Sequence, residues 1–111
     1  VDTNPNMKVV REEIFGPVLV AIPFKEVDEN LIAAANDTIY GLAAGVWTKD
    51  ISMAHQIANR IKSGTVWINC YHVFDAALPF GGYKQSGWGR EMGQAVLSNY
   101  LEHKAITSRI Q

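Results

Sequence analysis

The sequence predicts an α/β fold with a parallel sheet, arranged as strand, helix, strand, helix, strand. Two observations predict it: three short apolar runs, and between them two segments whose apolar residues recur at helical spacing. A helix between consecutive strands is typical of parallel pairing. With 111 residues, of which 48% are hydrophobic, the chain has the length and composition of one globular domain.

The first strand and helix are predicted between residues 17 and 36. Residues 17–25 read Pro-Val-Leu-Val-Ala-Ile-Pro-Phe-Lys, an apolar strand in which Pro23 favours an edge position or a bulge. Asp28 is the predicted N-cap of a helix that extends to about Asn36. Residues 42–48 are a second apolar run, short enough for a buried strand.

The clearest helical periodicity follows this second strand. Its apolar positions are Ile51, Ala54, Ile57, Ala58 and Ile61. Asp50 or Ser52 is the predicted cap, Lys62 is expected in the last turn, and Gly64 is the predicted left-handed stop. Residues 65–69 are β-branched and aromatic and form the third predicted strand.

The remainder of the chain lacks this regular alternation. Residues 70–89 contain Pro79 and several glycines, which predicts a long loop, and loops of this length are usually functional or disordered. A helix is expected over residues 90–98. A last strand is expected over residues 100–110, where an uncovered edge would be available to another subunit.

Composition excludes several classes of function. Lys and Arg number 10 and Asp and Glu 11, so no basic excess is available to neutralise nucleic-acid phosphates. No apolar run approaches the roughly 18 residues of a membrane span, and no basic amphipathic stretch indicates a membrane surface. The single cysteine, Cys70, rules out an internal disulfide and favours the cytoplasm. A start without Met or a signal peptide indicates a piece of a longer chain.

Cys70 and His72 form the only candidate nucleophile and base pair. Residues two apart in an extended segment share a face, so an independent thiol enzyme is one hypothesis. Cys70 directly follows an apolar strand, however, and free cysteine is usually buried, which favours a structural thiol. The three histidines have no paired spacing, and no metal site is expected.

The glycine-rich residues 81–89 do not fit a nucleotide-binding motif. Gly82 and Gly87 have four residues between them, but Trp88 occupies the position at which a phosphate loop needs lysine. Gly87, Gly89 and Gly93 follow the spacing G-x-G-x-x-x-G, which is not the dinucleotide fingerprint. The stretch is therefore interpreted as a backbone turn that needs positive φ or close packing.

Glu12 and Glu13 are a more specific signal. Adjacent side chains in an extended chain point in opposite directions, so one carboxylate can face solvent while the other accepts hydrogen bonds from a ribose diol. Phe15 would lie on the same side as Glu13 and can pack on a planar heterocycle. Gly16 and Pro17 then turn the chain. Taken alone, the pattern is better explained by solvated acidic residues and a core Phe.

Four segments in order together resemble the aldehyde dehydrogenase superfamily. They are Glu-Glu-Ile-Phe-Gly-Pro-Val (12–18), Tyr-Gly-Leu-Ala-Ala-Gly-Val (40–46), Gly-Thr-Val-Trp-Ile-Asn (64–69) and Pro-Phe-Gly-Gly-Tyr-Lys-Gln-Ser-Gly (79–87). The details between residues 74 and 91 resemble phenylacetaldehyde- and betaine-aldehyde-type members. The resemblance implies that residues 1–99 are the C-terminal part of the catalytic domain and residues 100–111 an oligomerisation tail.

The resemblance also implies a reaction, NAD(P)-dependent oxidation of an aldehyde to a carboxylic acid. In the family a cysteine thiolate adds to the carbonyl, hydride passes to the nicotinamide, and a glutamate-activated water releases the acyl group. That cysteine, that glutamate and the Rossmann domain are expected upstream of this segment. Cys70 matches a family position that is not the nucleophile. The 111-residue chain alone is therefore expected to be inactive.

Site residues carry over at matching positions. Glu13 matches the carboxylate that binds the nicotinamide ribose, and Phe15 the aromatic residue beside the nicotinamide. Phe74 and Phe80 match aromatic positions that line the aldehyde tunnel, and His72 lies in the same loop. Core packing remains the alternative for these last three residues. NAD or NADP, an aldehyde and further copies of the chain are the implied ligands and partners.

A different class of function remains open from the residues alone. A stand-alone, non-catalytic α/β module that binds or assembles through its last strand has the same pattern of elements. A coding sequence that begins directly before Val1 would favour this module. A long upstream reading frame with a cysteine-bearing active-site motif would favour the enzyme.

Overall fold

The computed structural model describes residues 3–111. Two compact units divide the chain, Val1–Thr38 and Ile39–Gln111. The first unit holds two helices, α1 (Lys8–Arg11) and α2 (Glu29–Asn36). The second holds β1 (Ala43–Val46), α3 (Ile51–Arg60), β2 (Thr65–Ile68) and two short 3-10 helices, Lys84–Ser86 and Gln94–Asn99.

Helix α2 forms where the sequence predicts it. The side chain of Asp28 caps it by accepting a hydrogen bond from the backbone N–H of Leu31 at 2.9 Å. Ile32 is the buried residue of its apolar face. In the same unit, the guanidinium of Arg11 pairs with the carboxylate of Asp37 at 2.8 Å and also donates to the Asp37 carbonyl, so α1 is held to the end of α2.

The predicted strand over residues 17–25 is wrong. These residues pair with no other segment that the structure describes, and Val18 and Leu19 are exposed, Leu19 to 90%. The one local bond runs from the Val18 N–H to the Gly16 carbonyl, 2.7 Å, which makes a turn. An apolar run becomes a strand only by hydrogen bonding to a neighbour. The observed core is therefore βαβ rather than the predicted βαβαβ.

Strands β1 and β2 confirm the parallel prediction. They pair from Ala43 opposite Thr65 to Val46 opposite Ile68, and α3 connects them and packs on both. Ala54 of α3 is completely buried in this packing. Parallel pairing through a helical crossover places the carboxyl ends of both strands at one edge of the sheet.

Helix α3 begins as predicted but ends differently. Asp50, rather than Ser52, is the cap, since its carboxylate accepts from the N–H of Met53 at 2.9 Å. The helix ends at Arg60 because Ile61 is extended (φ −73°, ψ 127°), so Lys62 lies beyond the last turn. Gly64 is not left-handed and is not the stop. Its role is close packing, because a Cβ there would collide with the carbonyl group of Gly81.

The predicted helix over residues 90–98 is also wrong in extent. Glu91 instead forms an antiparallel bridge with Phe80, and both backbone hydrogen bonds are short, 2.8 and 2.7 Å. Met92 and Gly93 both have φ of +58°, which an α-helix does not allow. The helical turn that remains is the 3-10 segment Gln94–Asn99.

Residues 101–111 carry no helix or strand in the single chain. Ile106 and Ile110 are 82% and 92% exposed. A strand that forms by pairing with another subunit has no hydrogen-bonding partner in a single chain. The terminal strand and the domain boundary between residues 99 and 100 therefore stay predictions. Among residues 3–111 no helix is long and apolar enough to span a bilayer.

Candidate functional site

Glu12 and Glu13 are both exposed but differ in their contacts. Glu12 pairs with Lys8 at 3.5 Å, one helical turn away. Within residues 3–111, no hydrogen bond or ion pair engages the Glu13 side chain, and it is exposed. The Glu13 carboxylate therefore has no partner among the described residues.

Phe15 lies on the same open, concave surface as Glu13. Its side chain is 93% exposed and its φ is +54°, so the extended geometry predicted for this segment ends here. A left-handed conformation is uncommon for an aromatic residue and costs on the order of 1–3 kcal/mol. A carboxylate without a partner and an exposed ring, two residues apart, fit a ribose diol and a planar heterocycle.

A group of aromatic side chains lies in β2 and in the segment that follows it. We call it the aromatic cluster, and its members are Trp67, Tyr71, His72, Phe74 and Phe80. It brings together the three predicted substrate residues. The sequence did not predict Trp67 and Tyr71 as members of the site. The signal that could have indicated Trp67 is its indole N–H, which needs a hydrogen-bond partner when a Trp is buried.

Trp67 anchors the aromatic cluster. It is 8% exposed, and its Nε1 donates to the Val73 carbonyl at 2.7 Å, which fixes the loop after β2 against the ring. Phe74 meets Trp67 edge-on with centroids 5.5 Å apart. Phe80 meets Phe74 edge-on at 5.2 Å. Edge-to-face contacts at these distances are favourable, so each ring orients the next.

His72 lies on the outer side of this arrangement. Its ring stacks on Tyr71 with centroids 4.2 Å apart, and its φ is +55°. Phe74 is 51% exposed and Phe80 is half-buried. Within the described unit, His72 and Phe74 are therefore exposed, whereas Phe80 is partly packed.

Cys70 does not form the nucleophile and base arrangement. It is a free, half-buried thiol. Within the described part of the chain no hydrogen bond joins it to His72, whose ring is stacked on Tyr71. Nor do residues 3–111 contain a group of three His, Cys, Asp or Glu side chains that could hold a metal ion.

The glycine-rich residues form a packed turn, as predicted. The Gly41 carbonyl accepts from the N–H groups of both Gly64 (3.0 Å) and Tyr83 (2.8 Å), and the Gly41 N–H donates to the Ser86 hydroxyl at 3.0 Å. Gly87 has φ of +100°. These contacts hold the turn beside β1 and β2, and Phe80 lies at its start.

Sequence comparison identifies the family. The model of the aldehyde dehydrogenase family matches residues 1–106. DhaS of Bacillus subtilis is 62% identical over 105 residues, which cover 95% of this chain and 21% of that protein. The mitochondrial aldehyde dehydrogenase of Homo sapiens is 47% identical over 109 residues, 98% of this chain and 21% of that protein.

Comparison with solved structures gives the same family. An NAD+ complex of aldehyde dehydrogenase from Bacillus cereus superimposes with a TM-score of 0.90 at 55% identity, over 99% of this chain and 22% of that one. Betaine aldehyde dehydrogenase from Staphylococcus aureus in complex with NAD+ superimposes with a TM-score of 0.83 at 49% identity, over 89% of this chain and 20% of that one. The chain spans about a fifth of the length of these relatives. It belongs to the aldehyde dehydrogenase family.

Proposed function

We propose that this chain is the C-terminal part of an NAD(P)-dependent aldehyde dehydrogenase that oxidises an aldehyde to a carboxylic acid. Glu13 and Phe15 contact the nicotinamide riboside half of the cofactor, and His72, Phe74 and Phe80 contact the aldehyde. The observation that carries the proposal is the free Glu13 carboxylate beside the exposed ring of Phe15. The relatives crystallised with NAD+ support it.

On the cofactor side, each residue has a defined task. The Glu13 carboxylate accepts hydrogen bonds from the two ribose hydroxyls, a charge-assisted contact. The ring of Phe15 limits the positions open to the nicotinamide, which when bound accepts the hydride. Fixing a reactive group within reach of its partner contributes to catalysis through proximity.

On the substrate side, the aromatic cluster provides an apolar wall. Phe74 and Phe80 present a face and an edge at 5.2 Å, a geometry that receives another flat ring by the same edge-to-face contact. These rings exclude water from the carbonyl, and His72 supplies the polar group at their outer side. Aromatic aldehydes are the substrates that this wall favours.

The exposed surface supports a larger parent protein. Large apolar side chains are exposed in each of the two compact units. Leu19, Phe24 and Trp47, all more than 60% exposed, are among the apolar side chains left uncovered. Apolar area of this extent is stable only when other protein covers it.

The cofactor contact is tested by Glu13→Gln in the enzyme that contains this chain. An amide holds the ribose hydroxyls less strongly than a carboxylate, so kcat/KM for NAD+ is expected to fall about tenfold. Glu12→Gln is the matched control, because Glu12 pairs with Lys8, and it is expected to change kcat/KM less than twofold. Equal effects of the two substitutions would overturn the assignment.

The isolated chain of 111 residues is expected to form no NADH or NADPH from an aldehyde. Within residues 3–111 no hydrogen bond joins the Cys70 thiol to a base, and by the family resemblance Cys70 does not match the nucleophile. Absorbance at 340 nm with benzaldehyde and either cofactor measures this. Aldehyde-dependent NADH formation that Cys70→Ser abolishes would contradict the expectation and support the independent thiol enzyme.

Residues 100–111 are proposed to assemble the enzyme by pairing with another copy. The exposure of Ile106 and Ile110 supports this role. A cytoplasmic location stays a prediction that rests on the single cysteine.

A further inference from the structure

Arg90 is placed between the two sides of the glycine-rich turn. Its Nη1 donates to the carbonyls of Gly82 and Gly89, each at 2.8 Å, and to that of Trp88 at 3.1 Å. The guanidinium lies over the ring of Tyr83, 5.5 Å from its centroid. One cation therefore joins the start of the turn to its end.

The turn is closed tightly around this group. A Cβ on Gly81 would collide with the Gly89 carbonyl and would come within 2.8 Å of the Arg90 side chain. Carbonyls drawn together in this way repel one another unless a donor lies between them. Arg90 supplies that donor, and all three hydrogen bonds come from its Nη1.

The closure of the turn sets the position of Phe80. Phe80 and Glu91 form the antiparallel bridge that flanks Gly81 and Arg90 directly. The Arg90 carbonyl accepts in turn from the side-chain amide of Asn99 at 3.0 Å, which holds the far side of the bridge. The backbone of Phe80 is thus fixed where its ring meets Phe74 edge-on.

We propose that Arg90 is a positioning residue for aromatic aldehydes, acting through Phe80. This inference rests on the proposed function, in which Phe80 contacts the aldehyde. Arg90 touches neither substrate nor cofactor in this proposal. By closing the turn it keeps the edge of Phe80 aligned with Phe74, so a substrate ring meets a preformed surface. A small aliphatic aldehyde has no ring to use that surface and depends on it far less.

The test compares benzaldehyde with acetaldehyde in the full enzyme that contains this chain. Arg90→Lys keeps the charge but is one atom shorter than arginine, so its Nζ is expected to fall short of the position from which Nη1 reaches all three carbonyls, and it also removes the planar group over Tyr83. It is expected to raise KM for benzaldehyde about tenfold, while KM for acetaldehyde and for NAD+ changes less than twofold. Arg60→Lys makes the same chemical change at the exposed end of α3 and is expected to leave all three constants unchanged.

A double-mutant cycle separates this inference from the proposed function. Phe80→Leu is expected to raise KM for benzaldehyde by itself, and Phe80→Leu with Arg90→Lys to raise it no further, because one residue acts through the other. If Arg90→Lys raised KM equally for both aldehydes, Arg90 would have a purely structural role and the inference would be overturned. No effect of Phe80→Leu on benzaldehyde would instead overturn the proposed substrate contact.

If Arg90→Lys does not give folded enzyme, the smaller change Tyr83→Leu tests whether the closed turn positions Phe80. It removes the ring beneath the guanidinium and leaves the three carbonyl contacts. The ratio of KM for benzaldehyde to KM for acetaldehyde is expected to rise about threefold, a smaller shift in the same direction. An unchanged ratio in folded Tyr83→Leu enzyme would overturn the inference.

Discussion

Several single residues of this chain have an unusual backbone geometry. Within residues 3–111, the non-glycine residues with positive φ are Phe15, Asn69, His72, Lys84 and Met92. Two of these, Phe15 and His72, are predicted site residues. Asn69 is held by a reciprocal pair of hydrogen bonds with Thr48, each 2.9 Å, which ties the ends of β1 and β2 together and directs the chain into the aromatic cluster. Such strain persists where surrounding contacts enforce it.

The carboxylate of Asp28 makes the stability of α2 depend on pH. The Leu31 N–H, and then the Asn30 side-chain amide, donate to its carboxylate and lower the pKa of Asp28 below its ordinary value. Because the folded pKa is the lower one, the cap stabilises α2 above the unfolded pKa of about 3.9 and is lost as pH falls through the folded value.

We therefore expect carbon-13 NMR of the carboxyl groups to give Asp28 a titration midpoint below about 3.9. Amide protection of α2 should fall over the same pH range. Asp28→Asn keeps an N-cap acceptor but cannot titrate, so the pH dependence of that protection should disappear. A midpoint at or above the ordinary carboxyl value would contradict the assigned cap.

At the scale of elements, the packing around β2 decides which glycines are required. Gly64 immediately precedes the strand, and its Cα faces the backbone of Gly81 with no room for a methyl group. Gly16, in the turn before the apolar segment 17–25, has nothing within 4 Å of the position where a Cβ would lie, and its φ is not positive. The same residue type thus has a steric role at one position and none at the other.

Gly64→Ala is expected to lower the free energy of unfolding of the enzyme by about 3 kcal/mol or more, because backbone rather than a flexible side chain must move. Gly16→Ala is the matched control and is expected to stay within about 0.5 kcal/mol of the unmodified protein. Urea denaturation followed by circular dichroism measures both. Comparable stability of the two variants would refute the close approach of Gly64 and Gly81.

At the scale of the whole molecule, the uncovered apolar surface and the bare C-terminal segment have one explanation. Within residues 3–111 only Ile32, Ala54 and Trp67 are buried hydrophobic side chains. A core that small does not offset the conformational entropy lost on folding. We therefore propose that the chain folds stably only with the rest of its parent, and that residues 100–111 pair with a second copy.

Assembly through the tail gives a prediction with an internal control. Ile106 and Ile110 are four apart and share one face of an extended strand. Ile106→Asp with Ile110→Asp is expected to shift the enzyme to a smaller species in light scattering, because two buried charges oppose the contact. Thr107→Asp lies on the opposite face and is expected to leave the mass unchanged. Unchanged mass in the double variant would refute the tail as the interface.

Much of the fold was predictable because its determinants are local. Asp28 and Asp50 reach backbone N–H groups three residues away, and the apolar spacing of α3 matches the face that it buries. The parallel pairing of β1 and β2 follows from the helix between them. The segment over residues 17–25 was not predictable, since its apolar pattern is the same whether or not a neighbouring strand is present.

The sequence by itself determined the two capped helices, the βαβ order and the family, because each depends on side chains close together along the chain or on motifs in fixed order. Only the tertiary structure decided that Trp67 gathers His72, Phe74 and Phe80, and that Arg90 closes the turn that carries Phe80. These contacts join segments whose meeting depends on the path of the backbone through space. Spacing along the chain does not encode that path, so the geometry of the site had to be observed.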